Sequence, residues 1–414
     1  MKRRALVVAA VVCLLLWGTV PGHAAGYGLY EYSARGNALG GAVVARADDP
    51  SALVFNPAGI TQLEGTQVAV GFSAIRPELD VKINGDTTPG ETNVWLPPHF
   101  YLTHKINDRW SVGIAEYSRF GLGTEFDEDW AGRYNLTKAH IQSYSINPNV
   151  AFKVTDELSV ALGVEYVHAL LDIHKKINLS SYGAPDAESH SKVRGDGYAL
   201  TAGVHYKPND QWRFGVGYHS EAKVDASGDQ SFHDVASPLA GGFPSTHAYG
   251  SVVLPDMINF GVAYYPRKDL SVEVGAVYTR WSTYRQLCFN FDTPVAGQSQ
   301  SNTNKEWHDV WRYNIGVEYQ AKDWLTLRAG YVYDESPLNK STLDYLVPAN
   351  DRQIFSLGVG FAWEAWTLDV SYSYLWVKGR DFDTVPDGQN GVYADSRAEN
   401  GRTNIYGVTV GYRF

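Results

Sequence analysis

The residues of this sequence that could do chemistry are few and widely spaced. The chain contains no G-x-S-x-G and no H-E-x-x-H segment, which are the signatures of an exposed nucleophilic serine and of a zinc-binding helix. Its twelve histidines are scattered, and its two cysteines are Cys13 and Cys288. We therefore expect no catalytic residue, no metal site and no cofactor. Cys288 lies in a predicted loop and is interpreted as a bystander thiol. Membrane-embedded lipid hydrolases also lack such signatures, so an enzyme stays an alternative.

The elements that carry the charged residues repeat with a period of two. From Trp366 to Trp376 every second residue is apolar or aromatic, and polar residues fill the alternate positions as far as Ser373. At about 3.3 Å per residue and a tilt of about 40°, this span rises roughly 25 Å, the height of a lipid-facing band between two aromatic girdles. Arg312, Glu318 and Arg328 occupy the polar positions of similar segments. Because a charge on the lipid face costs about 2–4 kcal/mol near the midplane, they are predicted to form an ion-pair lattice in the lumen.

Turns divide the chain after residue 65 into segments of strand length. Six short turns alternate with seven longer polar loops, which separates fourteen predicted strands and places both ends on the short-turn side. This asymmetry is typical of outer-membrane barrels. The sequence therefore predicts an all-β protein in which residues 65–414 form a transmembrane antiparallel β-barrel of about fourteen strands. Its last strand ends on Phe414, a feature that predicts recognition by the barrel-assembly machinery.

The N-terminal 24 residues predict export. Lys2, Arg3 and Arg4 precede an apolar run and a small-residue exit at Ala24, the pattern of a secretory signal peptide. Together with the barrel pattern, this places the protein in the outer membrane of a Gram-negative bacterium, as a multi-pass protein surrounded by lipid and lipopolysaccharide. A formal charge of -10 argues against a nucleic-acid partner.

Residues 25–64 show neither the helical nor the strand period. Their glycines, with Pro50 and Pro57, allow compact turns. A fourteen-stranded barrel has a lumen wide enough for water unless something fills it. This segment is therefore predicted to be an N-terminal hatch that plugs the lumen. An open polar-solute porin needs no hatch and stays an alternative.

Several motifs resemble one family. They are AGY at 25–27, RGNALGGA at 35–42, the Asp48–Asp49 pair, FNPAG at 55–59 and FGLGTEF at 120–126. Together they resemble the outer-membrane long-chain fatty acid transporters of the FadL type, a family that includes aromatic-hydrocarbon channels. The resemblance implies a monomeric barrel that passes hydrophobic molecules by diffusion. It also implies hatch movement gated by the ligand and lateral exit through a kinked third strand.

The resemblance also implies roles for particular residues. Tyr27 matches an aromatic residue that touches the ligand. The hatch motif is matched by Asn56, Pro57, Ala58 and Gly59. Gly121 and Gly123 are the candidates for the strand kink, since glycine within a strand often marks a bend.

The substrate follows less directly. Arg133, Lys175 and Lys176 are candidates for contact with a fatty carboxylate, although solvated loop charges are the simpler interpretation. Long-chain fatty acids are the predicted substrates, and monoaromatic hydrocarbons of the toluene type are the alternative. The two kinds of channel share the hatch and the strand count, so these features do not separate them.

Overall fold

The alternating segments form a closed barrel. The structure, a computed structural model, describes residues 26–414, so the predicted signal peptide lies outside the described residues. Fourteen antiparallel strands form the wall, as predicted. The last strand pairs with the first, from Gln67 opposite Arg413 to Ile83 opposite Ser396. Closure leaves no unpaired sheet edge in the membrane, which satisfies the backbone without water.

Five of the fourteen strands, β3 and β7 to β10, are each built from two segments. In chain order the strands are β1 (Thr66–Ile83), β2 (Pro98–Lys105), β3 (Trp110–Tyr117 and Gly121–Glu125), β4 (Lys138–Lys153), β5 (Leu158–Ile177), β6 (Ala187–Tyr206), β7 (Trp212–His219 and Ala222–His233), β8 (Thr246–Leu254 and Met257–Arg267), β9 (Leu270–Thr279 and Gln286–Val295), β10 (Gln298–Asn304 and Val310–Lys322), β11 (Leu325–Asp334), β12 (Arg352–Trp363), β13 (Trp366–Val377) and β14 (Ser396–Arg413). Two short strands, Asp86–Pro89 and Arg380–Asp381, pair with the outer ends of β1 and β14.

The two faces of the wall follow the predicted alternation. On β12, Phe355 and Leu357 are more than half exposed on the outside, while Ser356 between them is buried in the lumen. On β13, Ser371 and Ser373 are buried and Tyr372 is exposed. The apolar side chains therefore face lipid and the small polar ones face inward.

The largest difference from the predicted long loops concerns residues 287–304. Residues 287–304 were predicted as a loop, but β9 and β10 continue through this range and turn at Ala296 and Gly297. The two strands pair with each other through this range. This pairing extends the sheet because it satisfies the backbone N–H and C=O groups of both strands. Cys288 consequently lies in a strand rather than in a loop.

Three short helices lie in the segment that precedes the barrel strands. Residues 26–64, which we call the hatch, contain α1 (Ala34–Ala38), α2 (Ala52–Phe55) and a 3₁₀ helix (Pro57–Gln62). Other 3₁₀ turns lie between strands, at Ser180–Tyr182, Ala240–Gly242, Trp281–Thr283, Lys340–Thr342 and Gln389–Gly391. Within residues 26–414, every helix is too short or too polar to cross a membrane.

Glycines of the wall let the hatch backbone come close. A Cβ atom at Gly217 of β7 would lie 2.0 Å from the carbonyl oxygen of Phe55. A Cβ atom at Gly203 of β6 would lie 2.5 Å from Oδ1 of Asn56. Both distances are far below van der Waals contact, so no larger residue fits at these positions unless the hatch moves.

Candidate functional site

Asn56 connects two parts of the hatch to the wall. It is fully buried at the start of the 3₁₀ helix. Its Nδ2 donates to the carbonyl oxygens of Val44 in the hatch and Val204 in β6, both at 2.9 Å. Its Oδ1 accepts from the backbone N–H of Ala58 at 3.3 Å. One side chain thus caps a helix and links it to β6.

The other residues of the motif suit this tight site. Pro57 occupies the first helical position, where its missing N–H leaves no hydrogen bond unmade. Ala58 is fully buried. A Cβ atom at Gly59 would lie 2.3 Å from the carbonyl oxygen of Ala47. The four predicted residues therefore lie together against the wall, and their gating role stays a prediction.

A network of ion pairs joins the hatch to the opposite wall. Arg35 contacts Asp48 and Asp49 of the hatch, each at 2.8 Å. It also donates two hydrogen bonds to Glu318 of β10, at 2.8 and 2.9 Å. Arg328 then bridges Glu318 and Asp369, at 2.6 Å each. Glu318 and Arg328 therefore take part in an ion-pair network that includes the hatch, whereas Arg312 pairs with Asp334 at 3.2 Å.

The charge of Asp48 is held by two arginines. Arg213 of β7 contacts it at 2.8 Å on the side away from Arg35. Burial by itself raises the pKa of Asp48, but Arg35 and Arg213 outweigh this effect and keep the pKa below its usual range. Asp48 and Asp49 were visible in the sequence as a pair within the hatch. Their arginine partners were not, because the pairing depends on the tertiary fold.

Tyr27 lies in an aromatic cluster beside an apolar cavity. Its ring packs against Phe120, Trp281, Tyr284 and Trp307, with ring centroids 4.7–5.8 Å away. Its hydroxyl is buried and has no hydrogen-bond partner in the structure. Burial, reinforced by Tyr284, raises the pKa of Tyr27 well above its usual value. The hydroxyl is thus a neutral donor without an acceptor.

The cavity next to Tyr27 has a volume of about 740 Å³, part of it continuous with solvent. Cys288 is among its lining residues, and its interpretation as a bystander thiol stays a prediction. The lining is otherwise mainly apolar and includes Phe120, Ile141, Leu171, Val193, Phe289 and Leu346.

The wall is interrupted beside Tyr27. β3 breaks at residues 118–120. There the N-terminal segment pairs with it: Leu29 N–H donates to Arg119 O at 2.7 Å, and Gly121 N–H donates to Tyr27 O at 2.8 Å. Ser143 of β4 takes both backbone groups of Phe120. Residues of the hatch therefore form hydrogen bonds with the backbone of β3 at the point where this strand is interrupted.

The interruption lies just before the two predicted kink residues. Gly121 and Gly123 belong to the strand segment that follows the break. A Cβ atom at Gly123 would lie 2.2 Å from the ring of Trp95, so this glycine makes room for an aromatic side chain. At Phe120 itself, the side chain of Ser143 and the N-terminal segment replace the strand partners, and the role of the two glycines as the kink stays a prediction.

The three predicted cations lie apart from the cavity lining. Arg133 is paired with Asp186 at 2.9 Å, and Lys176 with Glu128 at 2.9 Å. Lys175 is exposed at the outer end of β5. Their contact with a ligand stays a prediction. The aromatic partners Trp281 and Trp307 were missed by sequence reasoning, because nothing in the local pattern separates them from girdle residues.

Comparisons with known sequences and with solved structures point to the same family. The Escherichia coli K12 protein named long-chain fatty acid transport protein is 27% identical over 423 residues, which cover 90% of this chain and 91% of that protein. A solved Pseudomonas aeruginosa FadL homologue superposes with a TM-score of 0.82 at 21% identity, covering 94% of this chain and 100% of that one. The Ralstonia pickettii toluene transporter TbuX gives 0.71 at 18% identity, with coverage of 94% and 98%. The sequence model described as outer membrane protein transport protein (OMPP1/FadL/TodX) matches residues 15–414. The chain therefore belongs to this family of outer-membrane channels for hydrophobic compounds, and its fourteen-stranded barrel and the names of its relatives are consistent with this assignment.

Proposed function

We propose that this barrel takes up long-chain fatty acids passively, through hatch movement and lateral exit at β3. One observation carries the proposal. Tyr27 borders the apolar cavity, and its carbonyl oxygen accepts a hydrogen bond from the N–H of Gly121, next to the interruption of β3. A molecule that displaces Tyr27 from the cavity therefore acts directly on the segment that covers the break in the wall.

The driving force for entry is burial of apolar surface, at about 25 cal/mol per Å². An acyl chain that enters the cavity leaves water and needs no energy source. Displacement of Tyr27 breaks the two backbone hydrogen bonds at Arg119 and Gly121, which contribute about 0.5–1.5 kcal/mol each. Binding of a few hundred Å² of apolar surface exceeds this amount. Exit through the wall then avoids the polar, charged lumen.

A monoaromatic hydrocarbon is the second candidate, and the lining of the cavity favours it. Within the described residues, no Lys, Arg or His side chain lines the cavity. A hydrocarbon needs no cation, whereas a fatty carboxylate does. Lys175 supplies one possibility, because it follows Leu171 and Ile173 on the same face of β5. It lies about 13 Å along the strand from Leu171, at about 3.3 Å per residue, within reach of a long acyl chain that starts in the cavity.

Uptake of radiolabelled oleate and toluene tests these candidates in cells that lack their own transporter. We expect saturable oleate uptake that falls in Tyr27→Ala and in Lys175→Met. Lys176→Met is the matched control, since this neighbour faces the other side of the strand and pairs with Glu128. Toluene uptake unaffected by Lys175→Met, without oleate uptake, would transfer the function to hydrocarbons. Failure of both uptakes by a folded barrel would refute the proposal.

Binding can be measured separately from transport, through the thiol that lines the cavity. Cys288 is the free cysteine of the described chain. We expect oleate to slow its reaction with a maleimide in purified barrels. The control moves the thiol to an exposed position, in the double variant Cys288→Ser, Ser301→Cys. Equal protection of both thiols would mean that oleate acts as a detergent rather than as a ligand of the cavity.

A further inference from the structure

Two histidines and an aspartate meet near the outer ends of β5 and β6. His174 lies opposite His190 across the two strands. Asp172 Oδ1 lies 2.7 Å from Nε2 of His190 and 3.2 Å from Nε2 of His174. Leu171 and Val193 of the same strands line the cavity, so the three polar side chains face outward, since successive residues point to opposite faces. They are 16–25% exposed, and an ion can reach them.

We propose that Asp172, His174 and His190 bind one transition-metal dication of the Zn²⁺ class. Imidazole nitrogen and carboxylate oxygen are zinc ligands, at about 2.0–2.2 Å from the metal. In a tetrahedral site such ligand atoms lie about 3.3 Å apart. The two separations above are close to this value, and all three ligand atoms lie within 4.8 Å of one another. Small side-chain rotations are therefore enough to surround an ion.

A second carboxylate orients one of the ligands. His174 Nδ1 lies 3.0 Å from Oε1 of Glu188. A carboxylate on the far nitrogen of a metal-binding histidine fixes its tautomer and leaves Nε2 unprotonated for the metal. The rings of His174 and His190 are stacked at 3.9 Å with an interplanar angle of 22°, which directs both Nε2 edges to the same carboxylate. His168 and Asp196 form a simpler pair elsewhere on β5 and β6.

The surroundings favour a borderline metal over a hard one. Lys138 lies opposite His174 on β4, and Lys192 lies opposite Asp172 on β6. These cations weaken purely electrostatic binding of Ca²⁺ or Mg²⁺, which also prefer oxygen ligands. Imidazole suits zinc, copper and nickel. The bound ion would cross-link β5 and β6 at the level of the cavity, because Leu171 and Val193 of these strands line it.

Isothermal titration of the purified full barrel with Zn²⁺ tests this site. The affinity tag must not contain histidine. We expect one ion per chain at pH 7.5, no competition by a hundredfold excess of Ca²⁺ or Mg²⁺, and loss of binding near pH 5, where imidazoles are protonated. His190→Gln and Asp172→Asn should each weaken binding at least tenfold. Glu188→Gln should weaken it about tenfold through the orientation of His174.

The matched control is His168→Gln, which removes a histidine that also contacts an aspartate on the same pair of strands. We expect this variant to bind zinc as the native protein does. Cobalt(II) gives an independent readout, since tetrahedral coordination produces intense visible absorption that His190→Gln should abolish. Equal zinc binding by His190→Gln and the native barrel, or equal loss in His168→Gln, would overturn the proposal and indicate nonspecific binding by surface histidines.

Discussion

Replacement of Arg35 by methionine should release the hatch from the wall. The side chain makes a two-bonded contact with Glu318 and single contacts with Asp48 and Asp49. Hydrogen bonds to charged groups contribute about 1.5–3 kcal/mol each. Glu318 keeps Arg328 as a partner, and lumen water screens the rest, so we take the loss as about 3 kcal/mol for the attachment of the hatch. This corresponds to about a hundredfold shift towards the detached state.

Ion conductance in planar bilayers measures that shift, because a detached hatch leaves a water-filled lumen. We expect the open probability of Arg35→Met to rise about a hundredfold, with the barrel still folded by its heat-dependent migration on gels. Arg402→Met is the matched control. It also loses an ion pair, with Glu78, but this pair is on the exposed outer end of the wall, where solvent screening leaves such a pair little effect on stability. Equal conductance of the two variants would refute the role of the network.

Three further results are expected. Asn56→Ala should lower saturable oleate uptake and raise leakage of polar solutes. Asn147→Ala, which removes an equally buried asparagine of the wall, should do neither. Equal effects of the two variants would mean that uptake does not depend on the attachment of the hatch. Gly217→Val should raise conductance by pushing on a hatch carbonyl 2.0 Å from its Cβ, while Gly241→Val, which meets nothing within 4 Å, should be silent. The pKa of Asp48 is lowered in the fold, so its stabilising effect is complete above the ordinary value of about 3.9 and is lost as pH falls through the folded pKa. Conductance should therefore stay constant from pH 7 down to the ordinary value and rise only below it, and constant conductance throughout acidification would contradict this.

The barrel was predictable because each strand carries the alternation of apolar and polar residues in its own sequence. Each strand must satisfy lipid on one face and water or polar groups on the other, so β12 and β13 carry the alternation in their own residues. The short turns follow from the same pattern. The internal structure of the hatch was not predictable in this way. α1 has five residues and α2 has four, so they are too short for a helical period and depend on the surrounding wall.

Contacts between distant residues were beyond sequence reasoning for the same reason. Arg35 and Glu318 are 283 positions apart, and no local pattern pairs them. The histidines look scattered in the sequence, yet the register of β5 and β6 places His174 opposite His190. The contacts of Ser143 and of the N-terminal segment at the break in β3 also join residues that no local pattern connects. The motif Asn56 to Gly59 was found through resemblance, and its packing became clear only from the wall around it.

Charge at the edge of the cavity constrains how a fatty acid can bind. Arg119 lies 5.1 Å from the ring centre of Phe120, which lines the cavity. It is buried and paired with Glu165 at 2.8 Å. A fatty carboxylate that took this arginine would leave the buried Glu165 without its arginine, and breaking a buried pair costs about 3–5 kcal/mol. For the proposed fatty acid substrate, we therefore expect only the acyl chain to enter the cavity and the carboxylate to stay at the outer end of β5, where Lys175 is exposed.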